Sequence, residues 1–213
     1  MRTRVSTLQV MHKPTELLIA TSNRGKVREL DSLLSNLPIR LKTLSNLDGI
    51  IEVEETGSTF RENAELKAAG YAMRSSAWSL ADDSGLEVAA LGGAPGVYSN
   101  RYAGEGASDA AKMEKVLSQL AAVPNAVRDA RFVCAMSIAD EAGKIVFTTE
   151  GFCPGTIAKK PRGTNGFGYD PIFIPDGFDR TFGELSDDIK QQISHRARAV
   201  AEIIRYLHGF FKL

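Results

Sequence analysis

The apolar runs of this chain are short, about four to six residues, against the roughly 18 that a helix needs to span a bilayer. They alternate with segments whose apolar residues recur at helical spacing, and that alternation points to an α/β chain. Residues 16–21 (ELLIAT) read as a buried strand ending at Ser22-Asn23-Arg24-Gly25. Residues 26–35 follow as a helix with Val27, Leu30, Leu33 and Leu34 on one side, and Pro38 lies beyond its end. A short strand fits 40–44. Thr59 and Glu62 have the spacing of a capping box, so a helix is expected from there to about residue 75, with Phe60, Ala64, Ala68 and Tyr71 turned inward.

Residues 78–81 read as a strand that stops at Asp82-Asp83-Ser84-Gly85, and 92–106 as a Gly- and Pro-rich loop. Ser108 caps a further helix carrying Val116, Leu117 and Leu120, with Pro124 past its end. The runs 131–139 and 144–150 are joined by Asp140-Glu141-Ala142-Gly143, a hairpin signature. Strand resumes at 171–174, and Ser186 and Ser194 cap helices over 187–192 and 195–207. A hairpin beside strand–helix units calls for a mixed sheet. The expectation is one α/β domain with two lobes over 16–213, preceded by a flexible N-terminal extension, 1–15.

Lys plus Arg and Asp plus Glu each total 26, a formal net charge of zero. Binding to a long nucleic acid draws on a basic excess, which is absent, whereas a small phosphorylated ligand needs only a few local cations. Two cysteines, Cys134 and Cys153, are too few for a disulfide scaffold and form no CxxC pair. With no secretory signal in the opening residues, a cytoplasmic location is expected.

Four clusters have chemical potential. Thr21-Ser22-Asn23-Arg24-Gly25-Lys26 sits between strand and helix, where unpaired N–H groups and the positive dipole end attract anions. It is no Walker A loop, and a purely structural turn explains it equally well. Glu54, Glu55, Asp82 and Asp83 are carboxylates of the type that hold magnesium alongside substrate phosphates, although a polar turn and a solvated loop would also account for them. In Asn165-Gly166-Phe167-Gly168-Tyr169-Asp170, glycines flanking an aromatic let a flat ligand approach, or simply anchor a loop. Lys190 precedes Ser194-His195-Arg196, which puts His195 and Arg196 in the first turn of a helix. Cations there oppose the helix dipole, so Arg196 reads as functional.

Taken together, residues 21–26 (TSNRGK), 54–68 (EETGSTFRENAELKA), 81–102 (ADDSGLEVAALGGAPGVYSNRY), 165–173 (NGFGYDPIF) and 190–196 (KQQISHR) resemble, in order, the inosine triphosphate pyrophosphatase family. The resemblance runs from about Glu16 to Leu207. Two departures are a longer N-terminus and Asn100, which replaces the small residue expected before Arg101.

The resemblance implies an elongated mixed sheet flanked by helices, with the active site in the cleft between two lobes. The implied reaction is magnesium-assisted hydrolysis of ITP, dITP or XTP to the monophosphate and pyrophosphate, with one ion per site. Carried over by motif, Thr21, Ser22, Asn23, Arg24, Gly25 and Lys26 would hold phosphates, joined by Lys67 and Ser84. Glu54 and Asp83 would hold the metal with Asp82 close by, and Asp83 would orient or deprotonate the attacking water. Phe167 would stack on the purine. Gly168, Tyr169, Asp170, Lys190, His195 and Arg196 would surround the base. A homodimer is implied, with no nucleic-acid polymer or membrane as partner. Two other readings stay open: a nucleotide sensor without hydrolysis, and a pyrophosphatase for modified pyrimidine nucleotides.

Overall fold

The computed structural model describes residues 14–47, 49 and 52–211. Six strands form one sheet in the order β2-β1-β3-β4-β5-β6. They are β1 (Glu16–Ile19), β2 (Arg40–Thr43), β3 (Ser79–Val88), β4 (Asp129–Ala139), β5 (Ile145–Ile157) and β6 (Phe173–Pro175). The sheet is mixed as expected: β1 runs parallel to β2 and β3, and β3 through β6 pair antiparallel. The helices are α1 (Arg24–Leu34), α2 (Phe60–Ser75), α3 (Asp109–Ala122), α4 (Asp187–Ile193) and α5 (His195–Phe211). Of the expected N-terminal extension, only Pro14 and Thr15 lie among the described residues. Pro14 is buried, and the Thr15 carbonyl accepts the Arg40 N–H at 3.0 Å. Among the described residues, no helix is long and apolar enough to cross a membrane.

β1 is apolar on both faces because helices cover both. Leu17 and Ile19 pack with Leu30 and Leu34 of α1 and Val200, Ile203 and Leu207 of α5. Leu18 and Ala20 turn the other way, onto Ala68, Tyr71 and Ala72 of α2. A second large core gathers Leu86, Val88, Phe132, Phe173 and Phe182 with Val116 and Leu120 of α3. Strands β3 and β4 contribute to both, which is the two-lobed division expected.

The helix starts follow local chemistry. Thr59 Oγ1 accepts the Glu62 N–H at 3.1 Å, while the Glu62 carboxylate reaches back to the Ser58 N–H at 2.7 Å. Ser194 Oγ accepts the Ala197 N–H at 3.1 Å, capping α5, whereas Ser186 makes no side-chain cap bond. Helix α1 begins two residues earlier than its apolar spacing indicated. The Asn23 side chain caps it, accepting from the N–H groups of Gly25 and Lys26 at 2.9 and 3.1 Å.

The expected strand stop at Asp82-Asp83-Ser84-Gly85 is corrected by the structure: β3 runs straight through to Val88, paired with β4 residue by residue. Asp, Ser and Gly are poor strand formers, so their placement here is a tertiary effect. Strand β5 likewise outruns its expected end by seven residues, through Gly151 and Gly155. Side chains at those two positions would collide with the carbonyls of His195 and Ile174, so both glycines admit close neighbours.

β1 pairs with β3 only at Ser79 and Leu80. Beyond that point no strand pairs with β3 on that side until Val88, whose N–H donates to the Ala94 carbonyl at 3.1 Å. Backbone groups alternate sides along a strand, and Leu80 C=O already points at β1, accepting the Ala20 N–H at 2.8 Å. The main chain of Asp82, Ser84 and Leu86 therefore faces the same open side. Two side chains meet it there: Lys67 Nζ donates to the Asp82 carbonyl at 2.7 Å, and Ser99 Oγ accepts the Leu86 N–H at 2.9 Å. The cleft lies along this edge.

Candidate active site

Successive strand residues point to opposite faces, so the two adjacent acids of β3 part company. Asp83 faces α2, where Lys67 Nζ sits 3.3 Å from its Oδ1. Lys67 also donates to Glu55 Oε1 at 2.7 Å. Burial works against this ammonium, but Asp83 and Glu55 outweigh it and raise its pKa. Burial raises the Asp83 carboxyl above its ordinary value, although Lys67 and Lys26 pull the other way. Its Oδ2 is buried and has no hydrogen-bond partner. An unpartnered carboxylate oxygen next to a cleft is costly unless a cation or water proton meets it there.

Asp82 faces α1 and α5 and is fully buried. Its Oδ1 pairs with Lys26 Nζ and accepts from Ser84 Oγ at 3.1 Å. Its Oδ2 accepts from Arg196 Nε at 3.0 Å and the Cys134 thiol at 2.9 Å. Burial alone would push this carboxyl up, but Arg196 and Lys26 hold it well below its ordinary value. Both oxygens are engaged by the chain's own cations, so the expected metal role of Asp82 would require an ion to displace Lys26 or Arg196. Asp82 fastens Lys26 and Arg196 in place. Glu54, expected at the metal, is exposed and lines neither this cleft nor the one beside it, whereas Glu55, its neighbour, lines the cleft with Asp83.

The phosphate-side expectations divide. Thr21, Ser22, Asn23, Lys26, Lys67 and Ser84 line the cleft. Arg24 is exposed and lines neither this cleft nor its neighbour, and Gly25 belongs to the neighbouring one. A side chain at Gly25 would come within 2.7 Å of the Phe167 ring, which rests on the bare backbone there. Phe167 borders both clefts, with Lys190 Nζ 4.8 Å and the Arg196 guanidinium 5.8 Å from its ring centre.

The turn carrying Phe167 is built around Asp170, whose Oδ2 accepts the Phe167 N–H at 2.8 Å. Gly166 has φ +74°, and a Cβ there would run into that same carboxylate oxygen. Asp170 also pairs with Lys190 at 2.5 Å, and Lys190 reaches Glu29 Oε1 at 2.7 Å. Glu29 pairs in addition with Arg196, whose second terminal nitrogen donates to Ser84 Oγ at 2.9 Å. Glu29 was missed by sequence reasoning, although it stands one helical turn after Lys26 and so on the same side of α1. Tyr169 is buried in the second core with its hydroxyl on the Ser99 carbonyl at 2.8 Å, although part of it still borders the cleft.

His195 is 4% exposed, stacks on Phe132 at a ring separation of 4.7 Å, and its Nδ1 has no partner. Burial first, then Arg196 and Lys190, hold its pKa well below the ordinary histidine value. The folded chain thus keeps His195 neutral, while the unfolded chain protonates it below about pH 6.5. Stability is therefore present above that pH and lost as pH falls from about 6.5 to 5, at up to about 1.4 kcal/mol per pH unit. Urea unfolding of the parent and His195→Asn at pH 7.5, 6 and 5 measures it. The variant is expected to have the shallower slope; equal slopes would rule out His195 as the source.

Residues 17–206 match the Ham1 family. The chain belongs to that family. This Ham1-family protein is 51% identical over 189 residues to the dITP/XTP pyrophosphatase of Syntrophobacter fumaroxidans, covering 89% of this chain and 80% of that one. It is 47% identical to the dITP/XTP pyrophosphatase of Bacillus subtilis, covering 91% and 98% of the two chains. Its fold is similar to that of a HAM1 protein from Coxiella burnetii, with TM-score 0.84 and 41% identity over 91% of this chain and 98% of the other. The Staphylococcus aureus Ham1 protein superposes with TM-score 0.80 at 42% identity, over the same shares.

Proposed function

We propose that this chain hydrolyses non-standard purine nucleoside triphosphates (ITP, dITP, XTP) to the monophosphate and pyrophosphate. The observation that carries the reading is one cleft lined by Lys26, Lys67 and Asp83 together with Lys190, Arg196 and Phe167. Two lysines suit a polyphosphate, and an aromatic beside hydrogen-bond donors suits a purine.

Asp83 accepts the proton of the attacking water as the oxygen bonds to phosphorus, and pyrophosphate leaves with Lys26 and Lys67 neutralising its charge. Phosphoryl transfer needs positioning and charge neutralisation more than covalent help, and these residues supply both. Magnesium fits the cleft through the unpartnered Asp83 Oδ2, with Glu55 beside it. An ion held by one or two carboxylates and the substrate's phosphates is the arrangement these two acids suit. When bound, the ion adds positive charge on the scissile phosphates.

At the base end, Lys190 gives two of its three N–H groups to Asp170 and Glu29, and Arg196 gives three of its five to Asp82, Glu29 and Ser84. The remaining donors suit a purine 6-keto oxygen. Adenine's 6-amino group would bring donor against donor, a mismatch worth up to ~10⁴–10⁵-fold in comparable sites. We further propose a homodimer in the cytoplasm whose catalytic unit spans 16–213.

Pyrophosphate release from ITP, XTP, dITP, ATP, GTP and dUTP, with and without magnesium, tests the reading. Release from ITP and XTP well above ATP, and only with the metal, is expected. No release from any purine would leave the sensor reading, and dUTP ahead of ITP the pyrimidine one.

A further inference from the structure

Glu55 reaches the cleft from a segment that belongs to no strand, so its position has to be held from elsewhere. Over residues 53–57 burial alternates: Val53, Glu55 and Gly57 are half-buried, while Glu54 and Thr56 are exposed. The three half-buried residues meet α2 at three points. The Gly57 N–H donates to Asn63 Oδ1 at 2.7 Å, Glu55 Oε1 accepts from Lys67 Nζ at 2.7 Å, and the Val53 N–H donates to the Tyr71 hydroxyl oxygen at 3.3 Å. Asn63, Lys67 and Tyr71 are four residues apart and so form one stripe of the helix. A helix advances about 6 Å in four residues and an extended chain about 6.5 Å in two. The segment and the stripe therefore stay in step, running in opposite directions.

Two glycines admit the close approach. A Cβ on Gly57 would lie 2.7 Å from that same Asn63 oxygen, and a Cβ on Gly70, beside Tyr71, would lie 2.8 Å from Val53 Cγ2. A glycine inside a helix weakens it, and the packing of Val53 accounts for Gly70. Asn63 and Tyr71 are 1% and 4% exposed and line neither the cleft nor its neighbour, so contact with substrate does not explain their polar atoms. We propose that Asn63 and Tyr71 are positioning residues: they clasp the amides of Gly57 and Val53 one helical turn to either side of Lys67, and so hold Glu55 against Lys67. The placement matters on the pyrophosphatase reading, on which the proposal rests, because Lys67 and Asp83 receive the phosphates and the ion there. With a clasp removed, Glu55 swings towards solvent with Glu54, and the corner loses both a negative charge and a fixed partner for Lys67.

The test compares the parent with Tyr71→Phe, which removes only the hydroxyl, and with Asn63→Ala. Calorimetry gives the affinity for pyrophosphate with magnesium, which probes the Lys67 corner, and for inosine, which probes the base end without a phosphate. Each variant should weaken pyrophosphate binding about three- to tenfold, the effect of one hydrogen bond, and leave inosine unchanged. Amide hydrogen exchange should quicken by a similar factor over 53–57, while β1 and α5 keep the parent's protection. Pyrophosphate affinity unmoved in both variants overturns the proposal. An equal fall for pyrophosphate and inosine does so too, since it would mark the two residues as fold elements only. Should Asn63→Ala fail to fold, Tyr71→Phe decides alone. If the parent binds neither probe, it is the pyrophosphatase reading that fails. Exchange over 53–57 then decides the clasp separately, with equal rates in parent and variants counting against it.

Discussion

Asp83→Asn is expected to lower kcat for ITP by about 10³-fold or more, with the fold intact. General-base catalysis contributes roughly 10²–10⁴, and the same carboxylate is the strongest candidate for holding the metal. The change keeps the shape of the side chain and removes its charge. Lys67 retains Glu55 at 2.7 Å and the Asp82 carbonyl at 2.7 Å, so no buried ammonium is stranded. Burial already disfavours the charged form of Asp83, so neutralising it costs little, and the melting temperature should stay close to the parent's. Pyrophosphate release and a thermal melt on one preparation check both halves. Turnover within tenfold of the parent would remove Asp83 from the chemistry.

Arg196→Ala should do the opposite and damage the fold first. Arg196 is 1% exposed, and its guanidinium links Asp82, Glu29 and Ser84. Burial works against the cation, but Asp82 and Glu29 more than offset it and raise its pKa. Removing it leaves Asp82 buried with Lys26 as its remaining ion partner. Breaking such a pair from one side costs about 3–5 kcal/mol. In a chain of this size that lowers Tm by very roughly 6–20 °C. Arg196→Ala combined with Asp82→Asn removes the stranded charge and should recover part of that stability but none of the discrimination between ITP and ATP. A single variant as stable as the parent, or a double variant that regains discrimination, would show that the guanidinium holds no such dual position.

The dual role explains what sequence reasoning saw and what it did not. β1, the capped helix α2 and the β4–β5 hairpin follow from apolar period, capping spacing and turn chemistry, all local signals. Asp82-Asp83-Ser84-Gly85 looks like a turn by the same local rules. It is a strand because Lys26, Lys67 and Arg196, remote in sequence, neutralise the acids from three helices. Arg196 stood out because a cation at a helix start conflicts with the dipole, and that conflict is resolved by Asp82 and Glu29. Glu54 and Glu55 were indistinguishable in sequence. Only the chain's path past Lys67 separates them.

The parting of Asp82 and Asp83 has an evolutionary corollary. Which carboxylate clamps the cations and which meets the substrate is decided by odd or even position along β3, so inserting or deleting one residue upstream within that strand would exchange their duties. Drift in length is thereby confined to the loops, and any lineage that gains or loses a codon inside this strand would have to reinvent its catalyst.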